Sequence, residues 1–167
     1  TLINSSKSAA SKEQIKNFWA NLPKKERPKA QIDQFLKEKT VIKPMEKQTK
    51  KVIKQLQEID HLVVVGLTAR HPVKPEHCDE TVTAIQLRHL GMDFTDSNFP
   101  EEFYQHPDFH GGLFYTSNKK KGKFLKDIFE ITGVWPEKVV FVDDNHGQIK
   151  AVDDACAELG IPCDCYW

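Results

Sequence analysis

The stretch Val139-Val140-Phe141-Val142-Asp143-Asp144-Asn145 limits what this chain can fold into more than any other. Four apolar residues in a row, three of them β-branched, predict a strand buried on both faces. Two carboxylates stand where that strand should end. Asn145 is placed to cap a following helix whose apolar face is Ile149, Val152, Ala155, Cys156 and Leu159. In an open α/β sheet, ligands sit outside the carboxyl ends of the strands. Adjacent acids at such a place repel one another and call for a cation. Mg²⁺, a hard ion, suits carboxylate oxygens. A helix N-terminus that favours acids accounts for the pair without any metal.

The rest of the chain supplies neighbours for that strand. A helix opening near Pro44, with Val52, Ile53, Leu56 and Ile59 as its buried stripe, leads into a strand over Leu62–Leu67. Thr68-Ala69-Arg70 follows at its end. A helix is expected from an Asp79 cap to Leu90, stopped by Gly91. Residues 91–112, with Phe94, Phe99, Phe103, Tyr104 and Phe109 among Asp, Pro and Asn, predict an irregular excursion packed by aromatics. A strand at Leu113–Thr116 comes next, and then the lysine-rich Asn118–Lys123. The helix after it carries Phe124, Leu125, Ile128, Phe129 and Ile131 and ends at Gly133. After the 147–159 helix, Ile161–Tyr166 predicts a last strand. Repeated βα units at this spacing imply an α/β fold, a mainly parallel sheet with helices on both faces. Ahead of it, residues 5–45 hold two short basic helices, apolar on one side only, which suit a small helical cap or insertion on a 46–167 core.

At 167 residues, with 39% hydrophobic and 29% charged, the chain suits one domain with a small insertion. No run approaches the roughly 20 apolar residues that span a bilayer. The net charge of zero conceals an asymmetry. Residues 1–54 carry 14 Lys and Arg against 5 Asp and Glu, while residues 55–167 carry 10 against 19. A basic N-terminal part favours anionic substrates or partners where its lysines are not simply solvated helix faces. Cys78, Cys156, Cys163 and Cys165 match no zinc spacing and no Cys-x-x-Cys pair.

A parallel sheet brings strand ends together. Here that would gather a hydroxyl and a guanidinium (Thr68, Arg70), a lysine cluster at a helix start, and the Asp143-Asp144 pair. Donors for phosphoryl oxygens, a fixed cation and Mg²⁺ ligands are the parts of a phosphoryl-transfer site. In this order the chain resembles the haloacid dehalogenase-like phosphohydrolases over residues 46–167. A strand ending in Thr is similar to the family's second motif, here Val63–Leu67 with Thr68. Lys121-Gly122 with Leu125 resembles its third, Lys123 being the competitor, and Asp143-Asp144 its fourth. Gly66–Arg70, Lys121-Gly122 and Phe141–Asp144 resemble, more narrowly, a bacterial branch of unassigned function.

The resemblance implies a Rossmann-like three-layer sandwich and a Mg²⁺-dependent phosphatase acting on a phosphorylated small molecule or protein. Thr68 would donate to a phosphoryl oxygen. Lys121 would neutralise phosphoryl charge. Asp143 would bind Mg²⁺ directly, and Asp144 directly or through water. Arg70 would support the site or touch substrate. The family's first motif, Asp-x-Asp at the end of the central strand, supplies its nucleophile and its general acid and base. The sequence contains no Asp-x-Asp. Thr1-Leu2 resembles that motif's continuation, which implies a chain cut just after the two aspartates. Such a chain is expected to lack hydrolysis and to leave the strands ending at Thr68 and Asp143 with open edges. The alternative is a non-catalytic binding protein of the same fold.

Other classes fit less well. A receiver domain places its acid pair on the first strand and its Lys on the last, the reverse of this order. No zinc or thiol enzyme is expected from His71, His77, His106 and His110, which are scattered through predicted loops. His110-Gly111-Gly112 suggests an oxyanion loop but has no Gly-x-Ser-x-Gly elbow beside it. Nucleic-acid binding would rest on the basic N-terminal segment alone and is not expected.

Overall fold

The computed structural model describes residues 48–74 and 78–167. The helical insertion expected over 5–45, Pro44 and His77 lie outside them. The described part is mixed α/β, with four α-helices and two short sheets. The chain divides into two compact units, one of Thr1–Gln55 with Val73–Asp93, the other of Leu56–Pro72 with Phe94–Trp167.

Helix α1 spans Thr49–Gln57. Its expected stripe is not buried: Val52, Leu56 and Ile59 are all exposed. In the first unit, α2 covers Val82–His89. The cap is Thr81, not Asp79, because the Thr81 hydroxyl accepts from the Ala84 N–H at 3.2 Å. Arg88 clamps Glu80 through two hydrogen bonds.

The second unit holds all the strands found among the described residues. Strand β1 (Gly66–Thr68) pairs in parallel with β3 (Leu113–Tyr115), Leu67 opposite Phe114. β2 (Phe109–His110) completes a hairpin with β3. Its two-residue turn is Gly111-Gly112, at φ 58° and 75°, a conformation that only glycine adopts without strain at both positions. Before it, Glu101–Gln105 forms a 3₁₀ helix. Thus residues 91–112 are the aromatic excursion expected, with a short strand added at its end. Phe103, Phe109, Phe114, Phe124, Ile128 and Phe129 make one buried cluster. Leu67 and Val139, from different sheets, both pack against it.

Helix α3 (Lys121–Thr132), strand β4 (Val139–Val142), helix α4 (His146–Leu159) and strand β5 (Cys163–Tyr166) follow. β4 and β5 are parallel, Val139 opposite Cys163 and Phe141 opposite Cys165, so β4-α4-β5 is a βαβ unit.

Two strand expectations need correction. The run 62–67 forms a ladder only at Gly66–Thr68, since its partner β3 is three residues long. β4 is not buried on both faces. Val139 and Phe141 turn inward, but Val140 is 60% exposed and Val142 70%. Among the described residues, β1 pairs only with β3 and β4 only with β5, so each keeps an edge without a ladder.

Candidate functional site

The carboxyl end of β4 is drawn tightly against the first turn of α3. Asp143 Oδ2 accepts from the Lys121 ammonium at 2.6 Å, and the two side chains are 6% and 13% exposed. Asp143 Oδ1 accepts from the Asn145 N–H at 2.8 Å. Asn145 caps α4, its side-chain oxygen accepting from Gly147 N–H (2.9 Å) and Gln148 N–H (3.3 Å). Gln148 Oε1 in turn accepts from the Lys121 N–H at 2.9 Å. The ring Asp143–Asn145–Gln148–Lys121 therefore closes on itself and locks two helix starts to one strand end. Removing two charges from water is costly, and these hydrogen bonds are what offset it. The Lys121 ammonium also lies 5.5 Å from the centroid of the Phe141 ring, a cation–π contact.

Gly122 makes this approach possible. A Cβ there would stand 1.8 Å from the Ala151 carbonyl oxygen on α4. Glycine after Lys121 is thus a steric requirement of the α3–α4 contact. Lys123 lies elsewhere, lining a shallow groove with Lys120 and Lys126 opposite Asp154 and Glu158. Of the two lysines, it is Lys121 that contacts Asp143.

Thr68 ends β1, and its carbonyl accepts from the Thr116 N–H at 2.8 Å. Ala69 and Arg70 carbonyls accept from Asn118 and Ser117. The segment that leads into α3 is therefore pinned to the end of β1, which puts Thr68, Thr116 and Lys121 on consecutive parts of one strand-end region. The Thr68 hydroxyl accepts from the Arg70 N–H at 3.3 Å, and no hydrogen bond joins Thr68 to Lys121 or Asp143. Arg70 is exposed as a residue, yet partial desolvation of its guanidinium lowers its pKa, with Tyr115 acting the other way. Asp144 is exposed, and its carbonyl accepts from the Trp167 indole at 3.3 Å. The Trp167 ring stacks on His146 at 4.4 Å. Thus the structure brings Lys121 and Asp143 into contact, sets Asp144 beside them in sequence, and leaves Thr68 and Arg70 one strand end away.

Mg²⁺ is commonly held by one or two carboxylates, with water and substrate oxygens completing six ligands. Asp143 and Asp144 would be those carboxylates. Each Asp143 oxygen accepts one hydrogen bond and keeps a lone pair for a metal.

A second cluster escaped the spacing rules. Cys163 and Cys165 share one face of β5, and their sulfurs lie 3.5 Å apart. Asp153 on α4 brings a carboxylate oxygen within 4.8 Å of both. Cys156, on the buried face of α4, is wholly enclosed. Burial pushes the Cys163 thiol up to about 11 and the Cys165 thiol to about 12, and raises Cys156 as well. The sequence signal was i, i+2 on a strand facing i, i+3 on the preceding helix. That is a tertiary pattern, not a linear motif.

Among the described residues, no helix is long and apolar enough to cross a membrane. Comparison with curated proteins finds no match, and comparison with solved structures finds none. Residues 12–165, nearly the whole chain, match the family described as Protein of unknown function (DUF2608), and the chain belongs to that family.

Proposed function

We infer that the end of β4 and the start of α3 form a Mg²⁺-dependent phosphoryl-transfer site of the haloacid dehalogenase-like type. The observation that carries this is the Lys121–Asp143 contact, 2.6 Å and largely buried, between a helix start and a strand end. Ion pairs withdrawn this far from water are costly to fold around, so a functional reason for keeping one carries weight. On this reading the Thr68 hydroxyl donates to a phosphoryl oxygen, and the Lys121 ammonium offsets its charge. Asp143 and Asp144 hold Mg²⁺, which when bound would screen the negative charge of the transferring group. Arg70 supports the site or reaches substrate. The substrate is a phosphorylated small molecule or protein.

The same reading takes the fold to be a Rossmann-like three-layer sandwich in which one more parallel strand joins β1 to β4. The edges of both strands that find no partner among the described residues, and the exposed Val140 and Val142, support it. A nucleophilic aspartate would come from that strand. The sequence has no Asp-x-Asp, and this favours a second reading, a binding protein that keeps the fold and the cation site without catalysis.

Thermal unfolding with and without Mg²⁺ tests the site. Mg²⁺ is expected to raise the Tm of the chain, and Asp143→Asn to abolish the rise. No rise, or an equal rise in the variant, overturns both readings. Extension of the chain at its amino end by an apolar strand ending Asp-x-Asp separates them. Turnover of p-nitrophenyl phosphate supports the enzyme, and Mg²⁺ binding without turnover leaves the binding protein.

A further inference from the structure

We propose that Asp153, Cys163 and Cys165 form a binding site for Zn²⁺, with two thiolates and one carboxylate as protein ligands and a fourth position open to water. The site is separate from the Asp143–Asp144 pair and does not depend on the phosphoryl-transfer reading.

Geometry is the first support. A tetrahedral Zn²⁺ with Zn–S bonds of about 2.3 Å sets its two sulfurs about 3.8 Å apart, and a sulfur and a carboxylate oxygen about 3.5 Å apart. The Cys163 and Cys165 sulfurs are 3.5 Å apart, within a few tenths of that edge. All three donor atoms lie within 4.8 Å of one another, and the looser member, Asp153, is exposed and free to close in. The backbone holds the arrangement in place. Cys163 and Cys165 pair with Val139 and Phe141 in the β4–β5 ladder, and α4 carries Asp153 across that sheet.

Chemistry is the second. Two sulfurs select a thiophilic ion of the Zn²⁺ kind over Mg²⁺, whose preference is for an all-oxygen set. Binding exchanges two S–H protons, released to solvent, for two Zn–S bonds, and no oxidant is needed. Asp153 lies at the solvent side. Because Asp153 is exposed and both cysteines are half-buried, water reaches the cluster to supply a fourth ligand.

The test uses the reduced full chain and Co²⁺ as a spectroscopic stand-in for Zn²⁺. One equivalent of Co²⁺ is expected to give a thiolate-to-metal charge-transfer band and the visible bands of tetrahedral Co²⁺, both bleached by Zn²⁺ and unaffected by excess Mg²⁺. Cys163→Ser and Cys165→Ser are expected to weaken the charge-transfer band sharply. Asp153→Asn should weaken binding by roughly tenfold or more, since even outer partners of metal ligands are worth 10- to 100-fold. Cys78→Ser, distant in sequence and outside the cluster, should change nothing. X-ray absorption of the Zn²⁺-loaded wild type gives an answer that needs no variant: two sulfur and two oxygen or nitrogen neighbours are expected. A shell without sulfur overturns the proposal. So does the absence of a Co²⁺ band in the reduced protein, a band that survives both serine variants, or one that is lost in Cys78→Ser.

Discussion

Gly122→Ala tests the joint on which the Lys121–Asp143 contact depends. The added Cβ would stand 1.8 Å from the Ala151 carbonyl oxygen and 2.4 Å from its carbon, both backbone atoms of α4. No rotamer relieves such a clash, so the helices must separate. Bringing 1.8 Å out to 3.0 Å, the shortest approach real Cβ atoms make, takes a shift of about 1.2 Å in a well-packed contact. Overpacking of this kind costs roughly 1–3 kcal/mol. The shift also strains the hydrogen bond from Lys121 N–H to Gln148, worth about 1 kcal/mol. Alanine's better helix propensity returns at most about 1 kcal/mol. The net expectation is a loss of roughly 1–4 kcal/mol, which for a chain this size lowers Tm by about 2–16 °C. Urea unfolding followed by circular dichroism measures it, with an unchanged m-value as the sign that the unfolded state is not involved. Gly133→Ala is the control. Gly133 has φ 70°, and a Cβ added there would meet nothing within 4 Å, so its loss, about 1–2 kcal/mol, comes from backbone strain alone. A Gly122→Ala protein within about 0.5 kcal/mol of wild type would refute the close-approach argument.

Two further outcomes follow from the same region and its aromatic core. Lys121→Met and Asp143→Asn should each cost about 3 kcal/mol or more, because each strands a buried partner. The double variant should cost less than the sum, by about 1–3 kcal/mol, with little dependence on salt. Additive losses in a urea-based cycle would mean that the pair is not coupled. His106 is 3% exposed, its Nδ1 accepting from the Asp108 N–H at 3.1 Å. Burial lowers its pKa, Lys119 adds to this, and Asp108 and Asp127 oppose it. Below the unfolded value of about 6.5 the unfolded chain binds the extra proton, so stability falls as pH falls, by at most about 1.4 kcal/mol per pH unit. His106→Phe should flatten that limb of the stability–pH curve. An unchanged slope would assign it to other groups.

The sequence alone determined the elements whose cause is local. Val139–Val142 is a strand with the bounds read from its apolar run, and Asn145 caps α4 because its side chain reaches N–H groups two and three residues on. Gly133 and Gly160 end helices because they adopt a left-handed turn there. The aromatic packing of 91–112 was legible too, from composition, although its short strand β2 was not, since a two-residue ladder leaves no periodic trace.

Tertiary structure decided whatever depends on a partner. A strand pairs only as far as its neighbour extends, and this reduced 62–67 to Gly66–Thr68, whereas the burial of a face depends on what packs over it, and Val140 and Val142 stay exposed on β4. Lys121 rather than Lys123 meets Asp143 because Gly122 lets α3 approach α4 at that turn, a distance no linear spacing encodes. The thiols and Asp153 converge because β5 returns beside β4 under α4, so residues that match no linear motif come within reach of one ion. Local propensity writes itself along the chain, whereas proximity between distant segments exists only once the chain has folded.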